Sequence, residues 1–116
     1  MNIYHIWCDL KPGVSDMGFA EKANAWLGHL KQEGLIEGWQ LTRRKLGLAP
    51  AGLGEFHVAI SVTDMAQLDR AFERAAARAE PAEGFHHAMN ALVANASFAL
   101  YRDFPDGVRR RGEEKF

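Results

Sequence analysis

Hydrophobic and polar positions along the chain switch between two periods. Residues 1–9 alternate, 15–33 repeat at helical spacing, 36–48 and 55–63 alternate again, 64–79 return to the helical period, and 96–103 close on a last alternation. The order strand, helix, strand, strand, helix, strand predicts a split βαβ arrangement of α+β class: an antiparallel four-stranded sheet with both helices on one face. The opposite face is then bare, and its side chains carry the functional question.

Local signals support these boundaries. Ser15 follows Pro12-Gly13 as a helix N-cap, and Gly34 stands where a helix would end in a left-handed residue. The first helix carries Phe19, Ala23, Trp26, Leu27 and Leu30 on one stripe, with Glu21, Lys22, Lys31 and Gln32 mainly elsewhere. The second opens at Asp64 and carries Met65, Leu68, Phe72, Ala75 and Ala79. Pro81 ends it, and 84–93 predicts a further short helix with Phe85, Met89, Leu92 and Val93 as its apolar set.

Successive side chains of a strand point to opposite faces, so each strand divides into two sets. Phe56, Val58, Ile60 and Val62 form the helix-facing set of the third strand, Tyr4, Ile6, Cys8 and Leu10 that of the first, and Phe98 and Leu100 that of the fourth. In the second strand Trp39 and Leu41 face the helices. The open face then collects Ile3, His5, Trp7, Asp9, Gln40, Thr42, Arg44, His57, Ser61 and Tyr101. Such a mixture is too polar for a dry core and too aromatic for an ordinary solvated surface. Pairing with the same face of a second copy would cover it, which predicts a homodimer.

Composition narrows the function classes. The chain has 116 residues, enough for one core, divided here into a domain over 1–108 and a charged tail over 109–116. Fourteen basic and fifteen acidic side chains leave a formal net charge of −1, so no global field steers the protein to nucleic acid or an anionic membrane. Arg43 and Lys45 share one strand face while Arg44 takes the other, which divides that basic patch. No apolar run approaches the ~18 residues of a spanning helix. With alternation starting at Asn2, no leader segment is expected, and the single cysteine, Cys8, suits a reducing cytoplasm. Phosphate-loop, dinucleotide and nucleophile-elbow motifs are missing, so no cofactor is expected.

The candidate chemistry gathers around two imidazoles. The first and third strands are central neighbours in this topology, so His5 and His57 approach within ~5 Å when in register. With Arg44 and Tyr101 on flanking strands, they suit an anionic or enolic group whose proton a histidine can move. Their alternative role is to satisfy one another inside an interface. His5, His57 and Asp9 lack any short metal-ligand spacing, so no metal site is assigned. His86 and His87 are adjacent on the short helix and splay apart by about 100°. His87, with Asn90 three residues on, is the one taken to reach the ligand. Cys8 points to the helices as an inert small hydrophobe rather than a nucleophile.

Three segments carry a family resemblance: Tyr4-His5-Ile6-Trp7-Cys8-Asp9-Leu10-Lys11-Pro12-Gly13, Gly38-Trp39 through Thr42-Arg43-Arg44-Lys45-Leu46-Gly47, and Phe98-Ala99-Leu100-Tyr101-Arg102-Asp103-Phe104-Pro105. They resemble a family of short uncharacterised bacterial proteins within the dimeric α+β barrel (ferredoxin-like) superfamily, which includes stress-responsive barrel proteins and cofactor-independent monooxygenases of antibiotic biosynthesis. The similarity runs from Met1 to about Val108. It implies two sheets packed face to face and a cleft between sheet and helices that often holds a small ligand, and it transfers no catalytic motif. The resulting expectation is a cytoplasmic homodimer that binds a small aromatic or anionic molecule in a cleft lined by His5, Trp7, Arg44, His57 and Tyr101. Its alternatives are a cofactor-independent monooxygenase or isomerase, with His5, His57 and Tyr101 as catalytic candidates, and a structural or regulatory dimerisation module.

Overall fold

The structure, a computed structural model, describes residues 1–77 and 90–107. Its elements run β1 (Asn2–Leu10), α1 (Asp16–Gln32), β2 (Gly38–Arg43), β3 (Phe56–Val62), α2 (Met65–Ala76) and β4 (Val93–Arg102). The sheet order is β2-β3-β1-β4 with every pair antiparallel. That is the split βαβ arrangement, with β1 and β3 at the centre. The predicted tail over 109–116, Ala79, and positions 84–89 of the predicted short helix, including His86 and His87, lie outside the described residues.

Both helices start where their caps dictate. The Ser15 hydroxyl accepts from the Gly18 N–H, and the Asp64 carboxylate accepts from the Gln67 N–H, each satisfying an amide that the first turn leaves without a partner. Gly34, at φ +75°, takes the chain out of α1 in the left-handed region that glycine adopts without a Cβ penalty. All five stripe residues of α1, Phe19, Ala23, Trp26, Leu27 and Leu30, are buried. They meet the alternating set Phe56, Val58, Ile60 and Val62 of β3, every one of which is buried.

The second helix departs from its apolar pattern. It buries Leu68 and Ala71 but also Gln67, while Met65 and Phe72 of the expected stripe stay exposed. Burial of an amide is tolerated because both of its ends are satisfied. The Gln67 Oε1 accepts from the Thr63 N–H at 2.8 Å and the Thr63 hydroxyl at 2.9 Å, and its Nε2 donates to the Gly34 carbonyl and Glu37. This side chain ties the start of α2 to the end of α1.

The last strand begins at Val93, three residues before the alternation predicts, so Val93 belongs to β4 and not to the preceding helix. A bulge hides that extension. Between the pairs Trp7↔Ser97 and Asp9↔Ala94, β1 has one residue and β4 has two, and Asn95 takes φ +55°. The extra residue inverts the alternation, so Val93 lies on the helix side with Ala96 and Phe98. Phe98 and Leu100 face the helix side as expected but are exposed, because β4 is the sheet edge beyond the helical cover.

Beside the bulge, the β2–β3 loop closes over β1. The Asp9 carboxylate accepts from the Glu55 N–H at 2.9 Å and from the Asn95 amide, and Gly54 lies directly on the backbone of Cys8. A Cβ at Gly54 would stand 2.6 Å from the Cys8 carbonyl oxygen. Gly54→Ala is therefore expected to lower unfolding stability in urea by ~1–3 kcal/mol, the usual cost of overpacking against backbone. Gly38→Ala, where nothing lies near the Cβ position, should stay within about 0.5 kcal/mol of the parent.

Candidate functional site

Register brings the two imidazoles together. Trp7 is the cross-strand partner of His57, and His5 pairs with Ala59, so His5 and His57 meet on the diagonal of the same face. The His5 Nδ1 lies 2.8 Å from the His57 Nε2. The ring planes are within 7° of one another and the centroids are 5.1 Å apart. That separation exceeds the nitrogen–nitrogen distance by about two imidazole radii, which puts both nitrogens on the line between ring centres. The rings therefore lie end to end in one plane rather than stacked, as a near-linear N–H···N bond requires.

Aromatic and hydroxyl groups frame the pair. The Trp7 ring is parallel to His57 at 4.8 Å and to His5 at 5.5 Å, and Tyr101 meets His5 edge to face at 5.0 Å. Thr42, the register partner of His57 on β2, has its hydroxyl 3.5 Å from the His57 Nδ1 and 3.4 Å from the His57 carbonyl oxygen. Burial holds His57 below the ordinary imidazole range, and the His5 charge lowers it further. One proton joins the two rings, so His57 cannot gain a charge on Nε2 while that bond is intact.

The other face of the same strands encloses a cavity of about 270 Å³ between sheet and helices. Its walls are Tyr4, Ile6 and Cys8 of β1, Val58 and Ile60 of β3, Ala96 and Phe98 of β4, and apolar side chains of both helices. Tyr4, Cys8, Trp26 and Asn90 contribute its polar atoms, and no charged side chain lines it among the described residues. Burial raises the Tyr4 phenol above its ordinary range. Burial, with the Asp9 charge, pushes the Cys8 thiol up to about 11. Both groups are protonated near neutrality.

The expected site residues are thus divided. His5, Trp7, His57 and Tyr101 form one cluster on the open face, and the cavity lies on the opposite face, so a single cleft lined by all of them with the ligand is corrected. The reason is the pleat itself: odd-numbered residues of β1 face the cluster and even-numbered ones the cavity. Arg44 stands one residue past β2, its backbone N–H bonded to the Glu55 carbonyl and its side chain exposed. Its neighbour Arg43 turns to the helix side, pairing with Asp16 and Glu55. His87 lies outside the described residues. Asp9 acts as the loop clamp described above, and among the described residues no group of three or more histidine, cysteine or acidic side chains is placed to hold a metal. The contribution of Thr42 follows from its register with His57, a tertiary fact that no local motif announces.

The chain matches, over residues 1–116, a family of unknown function designated DUF6614. No curated protein matches its sequence. Among solved structures, the Arabidopsis thaliana protein At3g17210 superposes with a TM-score of 0.71 at 8% identity, covering 93% of this chain and 100% of that one. SnoaB of Streptomyces nogalater, a cofactor-independent oxygenase, gives 0.64 at 13% identity over 93% and 97% of the two chains. A dimeric ferredoxin-like protein of unknown function from a Jannaschia species gives 0.63 at 16% identity over 89% and 100%. The fold is that of the dimeric ferredoxin-like α+β barrels.

Two solution measurements follow from the ionisation states. Because the folded-state pKa of His57 lies below that of an unfolded histidine, the unfolded chain takes up the proton first as pH falls. The stability due to neutral His57 is full above about pH 6.5 and declines below it. Urea midpoints measured across that window should fall with acid in the parent and fall less steeply in His57→Gln. Cys8, buried and protonated, should react with a thiol reagent only at the rate of local opening, more slowly than the same cysteine in the urea-unfolded chain.

Proposed function

We propose that this chain, which belongs to the DUF6614 family, is a homodimer that binds a small, neutral, predominantly apolar or aromatic molecule in the cavity between its sheet and helices. The cavity carries the proposal. An apolar cavity of about 150 Å³ holds a benzene, so 270 Å³ suits a fused two-ring compound. The absence of a charged side chain among its described walls disfavours the anionic ligands also expected from sequence. Tyr4 and Asn90 supply hydrogen-bonding groups that can orient a ligand within an otherwise apolar wall.

Binding is better supported than turnover. A cofactor-independent oxygenase or an isomerase needs an unprotonated base at the reacting carbon, whereas the titratable groups of the described cavity wall, Tyr4 and Cys8, both hold their protons near neutrality. The likeness to SnoaB is a likeness of fold. A buried, unpaired cysteine suits a reducing cytoplasm, and no helix among the described residues is long and apolar enough to cross a membrane.

Pairing is supported by the open face itself. Ile3, His5, Trp7, Ala59 and Ser61 are half-buried there already in one chain, and Tyr101 is exposed beside them. Solved structures of the same fold include proteins described as dimeric. A second copy laid on this face would remove a continuous aromatic surface from water.

Indole is a suitable probe of the cavity. It should raise the thermal midpoint of the parent and bind Ala71→Phe, whose new ring fills the cavity from α2, at least about tenfold more weakly. Equal binding by both proteins would overturn the proposal. Light scattering should give twice the 12.9 kDa chain mass for the parent and the single-chain mass for Ala59→Arg, which places a charge in the middle of the open face.

A further inference from the structure

The hydrogen-bond chain on the open face has a direction, and the direction marks a second site. A threonine hydroxyl has one hydrogen. With the His57 carbonyl oxygen, an acceptor only, 3.4 Å from the Thr42 Oγ1, that hydrogen is given to the carbonyl. The Thr42 lone pair then faces the His57 Nδ1 at 3.5 Å, which must carry a proton to donate. A neutral His57 protonated on Nδ1 presents its lone pair on Nε2, the atom 2.8 Å from the His5 Nδ1. His5 therefore donates, and its own Nε2 is left without a proton.

We propose that Thr42 is a positioning residue that orients the chain Thr42–His57–His5, and that the His5 Nε2 at its end takes the proton of a weakly acidic phenol or enol, whose oxyanion is held beside Trp7 and Tyr101. The step balances: the ligand O–H bond breaks, an N–H bond forms on His5, and the neutral pair and neutral acid become an imidazolium and an oxyanion in contact. The shared proton does not move, because His5 is the donor to His57 before and after the transfer. The depressed ionisation of His57 acts in the same direction, keeping the positive charge off that ring. The groups against the pair, Trp7 of β1, Thr42 of β2 and Tyr101 of β4, are uncharged, so the oxyanion meets one cation and no competing carboxylate among them.

This site lies on the face opposite the cavity and stands without it. Two measurements test it. In protein labelled with ¹⁵N-histidine, long-range proton–nitrogen spectra at about pH 8, where imidazoles are neutral, should show the proton on Nδ1 of both His5 and His57. Thr42→Val should move it to Nε2 of both, and Thr42→Ser should restore the parent pattern. At about pH 6, below the ionisation of free p-nitrophenol, that probe should bind the parent as its coloured phenolate with uptake of its proton by the protein. His5→Gln and Thr42→Val should each weaken that phenolate signal about tenfold or more. The cavity variant Ala71→Phe should leave it unchanged, which separates this site from the indole site. A parent His57 protonated on Nε2, tautomers unmoved by Thr42→Val, or full phenolate binding by His5→Gln would each overturn the proposal.

Discussion

The register of β1 against its two neighbours governs every other feature of this protein. β1 is central, hydrogen-bonded to β3 on one side and β4 on the other, so a slip of one residue would exchange its two faces at once. In the observed register Tyr4, Ile6 and Cys8 face the helices beside Val58 and Ile60, while His5 and Trp7 face away beside His57 and Tyr101. Opposite chemistries are thereby carried on adjacent residues without interfering. An imidazole on the helix side would be buried among apolar groups, and a phenylalanine in place of Trp7 or His5 would remove the polar partner that His57 requires.

Three devices hold that register. The buried alternating set of β3 fixes which face meets α1, because turning it outward would expose Phe56, Val58, Ile60 and Val62 together. The bulge at Asn95 lets β4 follow β1 to its end while its helix-side residues keep their face. The Asp9 carboxylate joins that bulge to the β2–β3 loop, with Gly54 allowing the loop to touch the backbone of Cys8. Gln67 performs a similar task at the other end, where its amide links the start of α2 to the turn after α1.

The two faces then differ in what they can do with a proton. Around the cavity, burial keeps Tyr4 and Cys8 protonated, so that wall can hold a ligand by shape and hydrogen bonds but offers no ready base. On the open face, two rings share a single proton, and burial discourages charge on the inner one. A surface of that kind is responsive to acids and to a covering partner, whereas the cavity is responsive to size and polarity.

Much of this was legible in the chain itself. The period changes, the caps at Ser15 and Asp64, the five-residue stripe of α1 and the alternation of β3 specify element order and the face each strand buries, because helix and strand periods are local consequences of backbone geometry. The same alternation places His5, Trp7, His57 and Tyr101 on one face. It does not show that His5 and His57 bond end to end, that Thr42 stands against the inner ring, or that the enclosed space lies behind the strand, since those depend on cross-strand register and on the depth of helix packing. Val93 was missed as a strand residue because a bulge inverts the alternation that would reveal it, and Gln67 was missed because an amide is buried only where distant carbonyl and hydroxyl groups arrive to satisfy it. Local sequence determined which residues share a face, and the tertiary structure alone decided which atoms meet, because hydrogen bonds and cavities form between segments that the chain holds far apart.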